Sequence, residues 1–162
     1  MKYLLDTNVL SEVQRPRPEA RVLAWLDQVD EDRTFLSVAT VGEIAKGVAQ
    51  LEEGLRKSAL QQWLDAELAA RFGNRLLAID RETALAWGSL MAAAKREGRG
   101  LSVVDAWIAA VALRHELVLV TRNTRDFAGI ALELLDPWND QCNYPPPCHR
   151  GKSLNLWGYG QR

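Results

Sequence analysis

LLDTNVLSE, residues 4–12, joins an apolar run to an acid and then to a stretch with helical spacing. Tyr3 to Leu5 is apolar without a break, as in a strand buried on both faces, and Asp6 follows it directly. The rest of the chain repeats this unit. Phe35 to Val38 is apolar and β-branched, and Val41, Ile44, Ala45 and Val48 then recur at intervals of three or four. Leu76 to Ile79, Leu117 to Val120 and Ala131 to Leu134 read as three further strands. Helical spacing holds over Val22 to Leu26 with Val29, over Leu55 to Phe72, over Thr83 to Arg96 and over Leu101 to His115. Five strands separated by helices predict an α/β domain with a mostly parallel sheet covered on both faces.

The proportions of the 162-residue chain, 48 % hydrophobic and 25 % charged, are those of one soluble globular domain. No apolar run reaches the roughly 20 residues of a membrane-spanning helix, so no membrane association is expected. MKYLLD meets an acid before the roughly 7 to 15 apolar residues of a secretory signal, which makes the cytoplasm the default location. Twenty basic against 21 acidic residues give a net charge of −1, so a nucleic-acid partner has to be held locally or through metal.

One composition break divides the chain. Gln141 to Arg162 contains no acid, three of the six prolines and both cysteines, and it reads as a flexible appendage that need not be native to the domain formed by residues 1–140. His115 sits in a helical pattern, whereas Cys142, Cys148 and His149 all lie in the appendage. This argues against paired-histidine catalysis, a cysteine nucleophile or a disulfide scaffold. Three soft donors without a second pair at finger spacing also make a poor zinc site.

Ligands of parallel α/β sheets bind outside the carboxyl ends of the strands, and acids recur at those places. Asp6 follows the first strand, Glu43 lies one turn into the helix after the second, and Asp80 follows the third. Asp105 begins the helix that leads to the fourth strand, and Asp126 closes VTRNTRDF just after it. Helix capping accounts for any one of them: Thr40/Glu43, Ser102/Asp105 and Asn123/Asp126 have capping-box spacing, and Asp6 and Asp80 suit N-caps. Capping does not account for the apolar frame of Asp105, set among Val103, Val104, Ala106, Trp107 and Ile108, or for the wedging of Asp6 between Leu5 and Val9. If Asp6, Glu43 and Asp105 converge, their repulsion requires a cation, and Lys46 answers only part of it. Carboxylates without suitable His or Cys favour Mg²⁺ or Mn²⁺.

LLDTNVLSE, the Glu of TVGEIAKGVAQL, the Asp of LSVVDAWIAA, and VTRNTRDF followed by LELLDPWN together resemble a PIN-domain ribonuclease of the VapC or FitB toxin type, over essentially all of residues 1–140. The resemblance implies a three-layer α/β/α sandwich with a five-stranded sheet. It implies a metal-dependent endoribonuclease that is neutralised by a VapB/FitA-like antitoxin, usually acts as a homodimer, and reaches DNA only through that antitoxin. Asp6, Glu43 and Asp105 match the metal-binding acids. The fourth place falls to Asp126, with Asn123 as the competing position, and Thr7 and Asn8 are expected to support the acids by hydrogen bonds.

In such a site a metal-activated water attacks the phosphodiester in line and leaves a 5′-phosphate and a 3′-hydroxyl. Grip on RNA then falls to local cations. Arg15, Arg17, Lys95, Arg96, Arg99 and Arg125 read mainly as surface charge, while Arg122 adjoins the site. Trp25, Trp63, Trp87 and Trp107 read as core or dimer interface rather than base-stacking platforms. Leu51, Leu55, Leu60 and Leu64 either close the core or line a groove for an antitoxin helix. Two other classes remain open: a Mg²⁺-dependent phosphatase of small molecules, for which Asn8 stands where a second acid is wanted, and a non-catalytic regulatory subunit of a DNA-bound complex.

Overall fold

The computed structural model describes residues 1–139. Asp140 and the appendage expected from Gln141 onward, with Cys142, Cys148 and His149, lie outside the described residues.

Five short strands form one sheet in the order β3-β2-β1-β4-β5: β1 (Tyr3–Leu5), β2 (Thr34–Ser37), β3 (Leu76–Leu77), β4 (Val118–Val120) and β5 (Leu134–Leu135). All four pairings are parallel, as a chain that alternates strand and helix requires. The side-chain period of two sorts the strands between two cores. Tyr3, Leu5, Leu36, Val118, Val120 and Leu135 face α1 (Thr7–Val13), α2 (Ala20–Gln28), α3 (Val38–Ala49) and the helical run that starts with α4 (Leu55–Gln62). Leu4, Leu119 and Phe35 face the other way, onto Ile108, Val111 and Ala112 of α7 (Val103–Arg114) and Leu90 of α6 (Arg81–Arg96). The result is the expected three-layer sandwich. Leu4 and Leu5, adjacent and both 0 % exposed, each contribute on the order of 1.5–3 kcal/mol of apolar burial to a different layer.

Helix boundaries follow local chemistry. Asp80 caps α6 by accepting from the Thr83 N–H at 2.8 Å. The helix ends at Gly98 (φ +66°), where the Arg99 N–H reaches back to the Ala94 carbonyl at 2.9 Å in the manner of a Schellman turn. Ser102 then caps α7, which runs back along the sheet and carries its N-terminus to the carboxyl edge of the strands.

Three local expectations need correction. The residue capping α3 is Ser37, whose Oγ accepts from the Ala39 N–H at 3.0 Å. Thr40 is therefore inside the helix and fully buried, so no Thr40/Glu43 capping box exists. The last strand is Leu134–Leu135 rather than Ala131–Leu134, because pairing with β4 runs Leu119↔Leu134 and Val120↔Leu135 while Gly129 (φ +79°) and the turn after it occupy the preceding residues. The helical run over 55–72 is not uniform either, since α4 passes through a π-helical segment, Trp63–Leu68, before α5 (Ala69–Phe72).

Candidate functional site

The strand order reverses direction between β1 and β4, and that switch point is where a parallel α/β sheet opens a crevice at its carboxyl edge. Asp6 stands there, 5 % exposed, held on three sides. Its carboxylate accepts from the Thr7 N–H at 2.6 Å, from Asn8 Nδ2 at 2.8 Å and from Thr121 Oγ1 at 2.7 Å. Thr121 follows β4 and is fully buried; its hydroxyl also accepts from the Asn8 amide and from the Asn123 N–H, each at 3.0 Å. One residue further on, the Arg122 N–H donates to Asn8 Oδ1 at 3.3 Å. Asp6, Asn8 and Thr121 thus form one network across β1 and β4.

The other expected acids come from separate elements. Glu43, on α3, accepts the Thr7 hydroxyl at 2.5 Å. Asp105, in the first turn of α7, accepts the Ser102 hydroxyl at 2.6 Å, while its own N–H donates to Ser102 Oγ at 3.0 Å, so the predicted capping pair is present. Asp126 lies exposed in the 3₁₀ turn Thr124–Phe127. Each of the first three carboxylates is therefore pinned to a hydroxyl of its own: Thr121 for Asp6, Thr7 for Glu43 and Ser102 for Asp105.

The acids sense one another. Burial raises the Asp6 carboxyl above the usual carboxylate range, against the lowering effect of its hydrogen bonds, and the charges of Asp105 and Glu43 raise it further. Asp105 is also raised, first by burial and then by the charges of Asp126 and Glu43. Among the described residues, none of the four acids forms an ion pair with a Lys or Arg. Asp80, by contrast, is lowered by its Thr83 bonds and serves as a helix cap.

Donor chemistry suits a hard divalent cation: oxygen atoms only, without a basic partner, with Asp6 buried and Asp105 and Glu43 half-buried. No three His, Cys, Asp or Glu side chains among the described residues stand in a ligating arrangement, and Asp6, Glu43 and Asp105 are each hydrogen-bonded to a hydroxyl. A cation here would have to draw them off those donors. The residues fit the group in kind.

Beside Thr7 and Glu43 a cleft of about 340 Å³ opens between α1, α3 and the α4 run, lined by Leu10, Ile44, Val48, Leu51, Leu60 and Trp63, with Arg15 and Arg56 also on its wall. Of the four leucines read as groove or core, Leu51 and Leu60 line this cleft, Leu64 is buried in the core and Leu55 is 92 % exposed. Trp25 packs edge-on against Tyr3, and Trp87 stacks on Trp107 at 4.6 Å.

Thr121 is the residue at this edge that sequence reasoning overlooked. A lone Thr after LVLV carries no periodic signal; its one clue was its place at the end of the strand beside β1. Asp136 and Trp138, at the end of β5, lie within the quoted LELLDPWN but were given no role of their own.

A parallel sheet bringing acids from four segments to its carboxyl edge defines an α/β domain of the acid-centred kind. Residues 3–132 match the PIN domain model, and the chain belongs to the PIN-domain family. It is 38 % identical over 137 residues to Toxin FitB of Neisseria gonorrhoeae, a match covering 85 % of this chain and 99 % of that protein. It is 35 % identical over 135 residues to the VapC ribonuclease Y4jK of Sinorhizobium fredii, covering 83 % and 96 %. The crystal structure of FitAcB from Neisseria gonorrhoeae superposes with a TM-score of 0.79 at 37 % identity, covering 85 % of this chain and 99 % of that one.

Proposed function

We propose that this chain is a metal-dependent endoribonuclease and the toxin of a toxin–antitoxin pair, working in the cytoplasm as a homodimer. Asp6, Glu43, Asp105 and Asp126 would hold the metal, with Mg²⁺ or Mn²⁺ as the ion. The observation that carries the reading is electrostatic: at one sheet edge Asp6 and Asp105 are raised by burial and then by the charges of neighbouring acids, Glu43 among them, without a basic partner. The names of the relatives, a toxin and a ribonuclease, supply the reaction class.

When bound, the cation lowers the pKa of a water and steadies charge on the phosphate as the bond breaks. The chain supplies the rest. Asp6 is fixed by Asn8, Thr7 and Thr121, so it offers an ordered anion at the switch point. Glu43 and Asp105, now bonded to the Thr7 and Ser102 hydroxyls, would hold the ion in their place. Asp126 takes the fourth place in preference to Asn123, because its charge acts on Asp105. Thr7 and Asn8 orient the acids, and Arg122 meets an RNA phosphate. Among the described residues no histidine stands at this edge to activate a ribose hydroxyl, so attack would fall to water in line, leaving a 5′-phosphate and a 3′-hydroxyl.

A toxic nuclease needs a partner to restrain it in the cell that makes it. The apolar cleft with Glu43 at one end suits an amphipathic antitoxin helix that presents a cation to the acids. That antitoxin would also be the link to DNA.

The test is hydrolysis of single-stranded RNA by the purified chain with Mg²⁺ or Mn²⁺. Cleavage that is lost in Asp6→Ala and Asp105→Ala, with folding preserved and 5′-phosphate products, supports the proposal, and a 2′,3′-cyclic phosphate overturns the water mechanism. Turnover of a small phosphomonoester with RNA untouched would favour a phosphatase, and inertness toward both would favour a regulatory subunit.

A further inference from the structure

The turn after β5 holds a tryptophan against the site that neither the acids nor the cleft explains. β4 and β5 pair in parallel, with the Thr121 N–H bonded to the Leu135 carbonyl at 2.9 Å, so the segments after them emerge side by side at the carboxyl edge. Buried Asp136 fixes the β5 side by accepting the Trp138 N–H and Asn139 Nδ2, each at 2.9 Å, and Arg21 of α2 donates to the Trp138 carbonyl at 3.1 Å. The indole packs on the core layer beneath α1 and α2. Over it lies the Arg122 guanidinium, 5.6 Å from the ring centroid.

The Arg122 backbone N–H is two hydrogen bonds from Asp6 by way of Asn8, which roots the residue at the acid-bearing edge, yet among the described residues its guanidinium forms no ion pair. A long, flexible arginine rooted at an edge that carries uncompensated carboxylates can swing its guanidinium onto one of them, neutralising both. The indole face gives it a competing place to rest.

We infer that Trp138 is a positioning residue: by stacking beneath Arg122 it holds the guanidinium clear of the metal-site acids and presents it to a phosphate of the RNA strand next to the one being cut. This rests on the ribonuclease reading above and adds to it the residue that orients the substrate contact. A planar guanidinium with its edge free can take two phosphate oxygens at once, which a collapsed ion pair cannot.

The experiment compares Trp138→Leu, Trp138→Phe, Arg122→Gln and the Trp138→Leu/Arg122→Gln double variant of the full chain, using a short single-stranded RNA with Mn²⁺ over a series of salt concentrations. Trp138→Leu is expected to raise KM about two- to fivefold, the size of an exposed cation–π contact, with the change in KM rather than kcat. Trp138→Phe keeps a π face and should recover most of that loss. The double variant should be no worse than Arg122→Gln alone, and Arg122→Gln should flatten the salt dependence of KM by about one phosphate contact. Additive losses in the double variant, a defect confined to kcat, or parent KM in all variants would overturn the inference while leaving the ribonuclease standing. Should Trp138→Leu not fold, the Trp138→Phe KM and the Arg122→Gln salt slope decide, and a slope equal to the parent's overturns it. A parent chain that neither binds nor cuts RNA removes the ribonuclease reading and this inference together.

Discussion

The Thr121 hydroxyl donates to Oδ2 of Asp6 across 2.7 Å and 115 residues of sequence, tying the ends of β1 and β4 together at the one point where the sheet reverses its order. Both partners are buried. Thr121→Val keeps the shape and removes the donor, leaving a buried carboxylate short of one charge-assisted bond. A loss of about 1.5–3 kcal/mol in urea unfolding is expected, together with weaker RNA cleavage. Thr121→Ser should restore most of both.

Asp105→Asn separates stability from activity. Its parent carboxyl is raised by burial and by the charges of Asp126 and Glu43, so its ionised form is a burden on the fold at neutral pH. The amide removes that charge and still accepts from Ser102. Thermal melting without divalent ions should show the variant at least as stable as the parent, while RNA cleavage falls by orders of magnitude. A clear drop in melting temperature would contradict the account of mutual repulsion.

The pH dependence has a definite sign. Asp6 and Asp105 have folded-state values raised above 3.8, so between that value and the raised one the folded chain binds more protons than the unfolded one. Their penalty is complete above the raised values and fades as pH falls through them toward 3.8. The stability gap between parent and Asp105→Asn should therefore shrink on acidification. Asp80 acts in the opposite sense: its lowered value contributes stability above 3.8 that is lost as pH falls through the folded value. Chemical unfolding of both proteins at neutral pH and just above 3.8 measures the difference.

Divalent ions should stabilise the fold by occupying this edge. At 100 times the dissociation constant the gain is about 2.7 kcal/mol. Mn²⁺ or Mg²⁺ should raise the parent's melting temperature and shift that of Glu43→Gln or Asp105→Asn much less. The effect should weaken as pH falls, since protons compete for the same oxygens. An equal shift in all three proteins would place the ion elsewhere.

Ser102→Ala removes the N-cap of α7 and the hydroxyl that pins Asp105. About 1 kcal/mol of stability should be lost. Because the carboxylate no longer has to leave a hydroxyl to meet an ion, Mn²⁺ affinity measured by calorimetry should rise or hold rather than fall with stability.

The fold was legible wherever the signal was periodic. β1, β4 and α7 stand where their apolar runs put them, because a run buried on both sides has nowhere else to go. β5 was displaced because two leucines at a turn leave the register to the neighbouring strand. The π-helical segment left no mark on a leucine spacing that already suited a regular helix. Asp6, Glu43, Asp105 and Asp126 were visible as acids recurring at equivalent points of successive units. The roles of Thr121 and Trp138 were not, although both lie in quoted stretches, since each acquires its partner from pairing between strands.

The placement of β1 in the middle of the sheet bears on manufacture as well as on chemistry. The ribosome makes Asp6 before β4, and the threonine that steadies it emerges 115 residues later. A transcript cut short, or a stalled nascent chain, therefore yields a polypeptide whose acidic edge is unfinished. The acidic edge is assembled only once the fourth strand has been made.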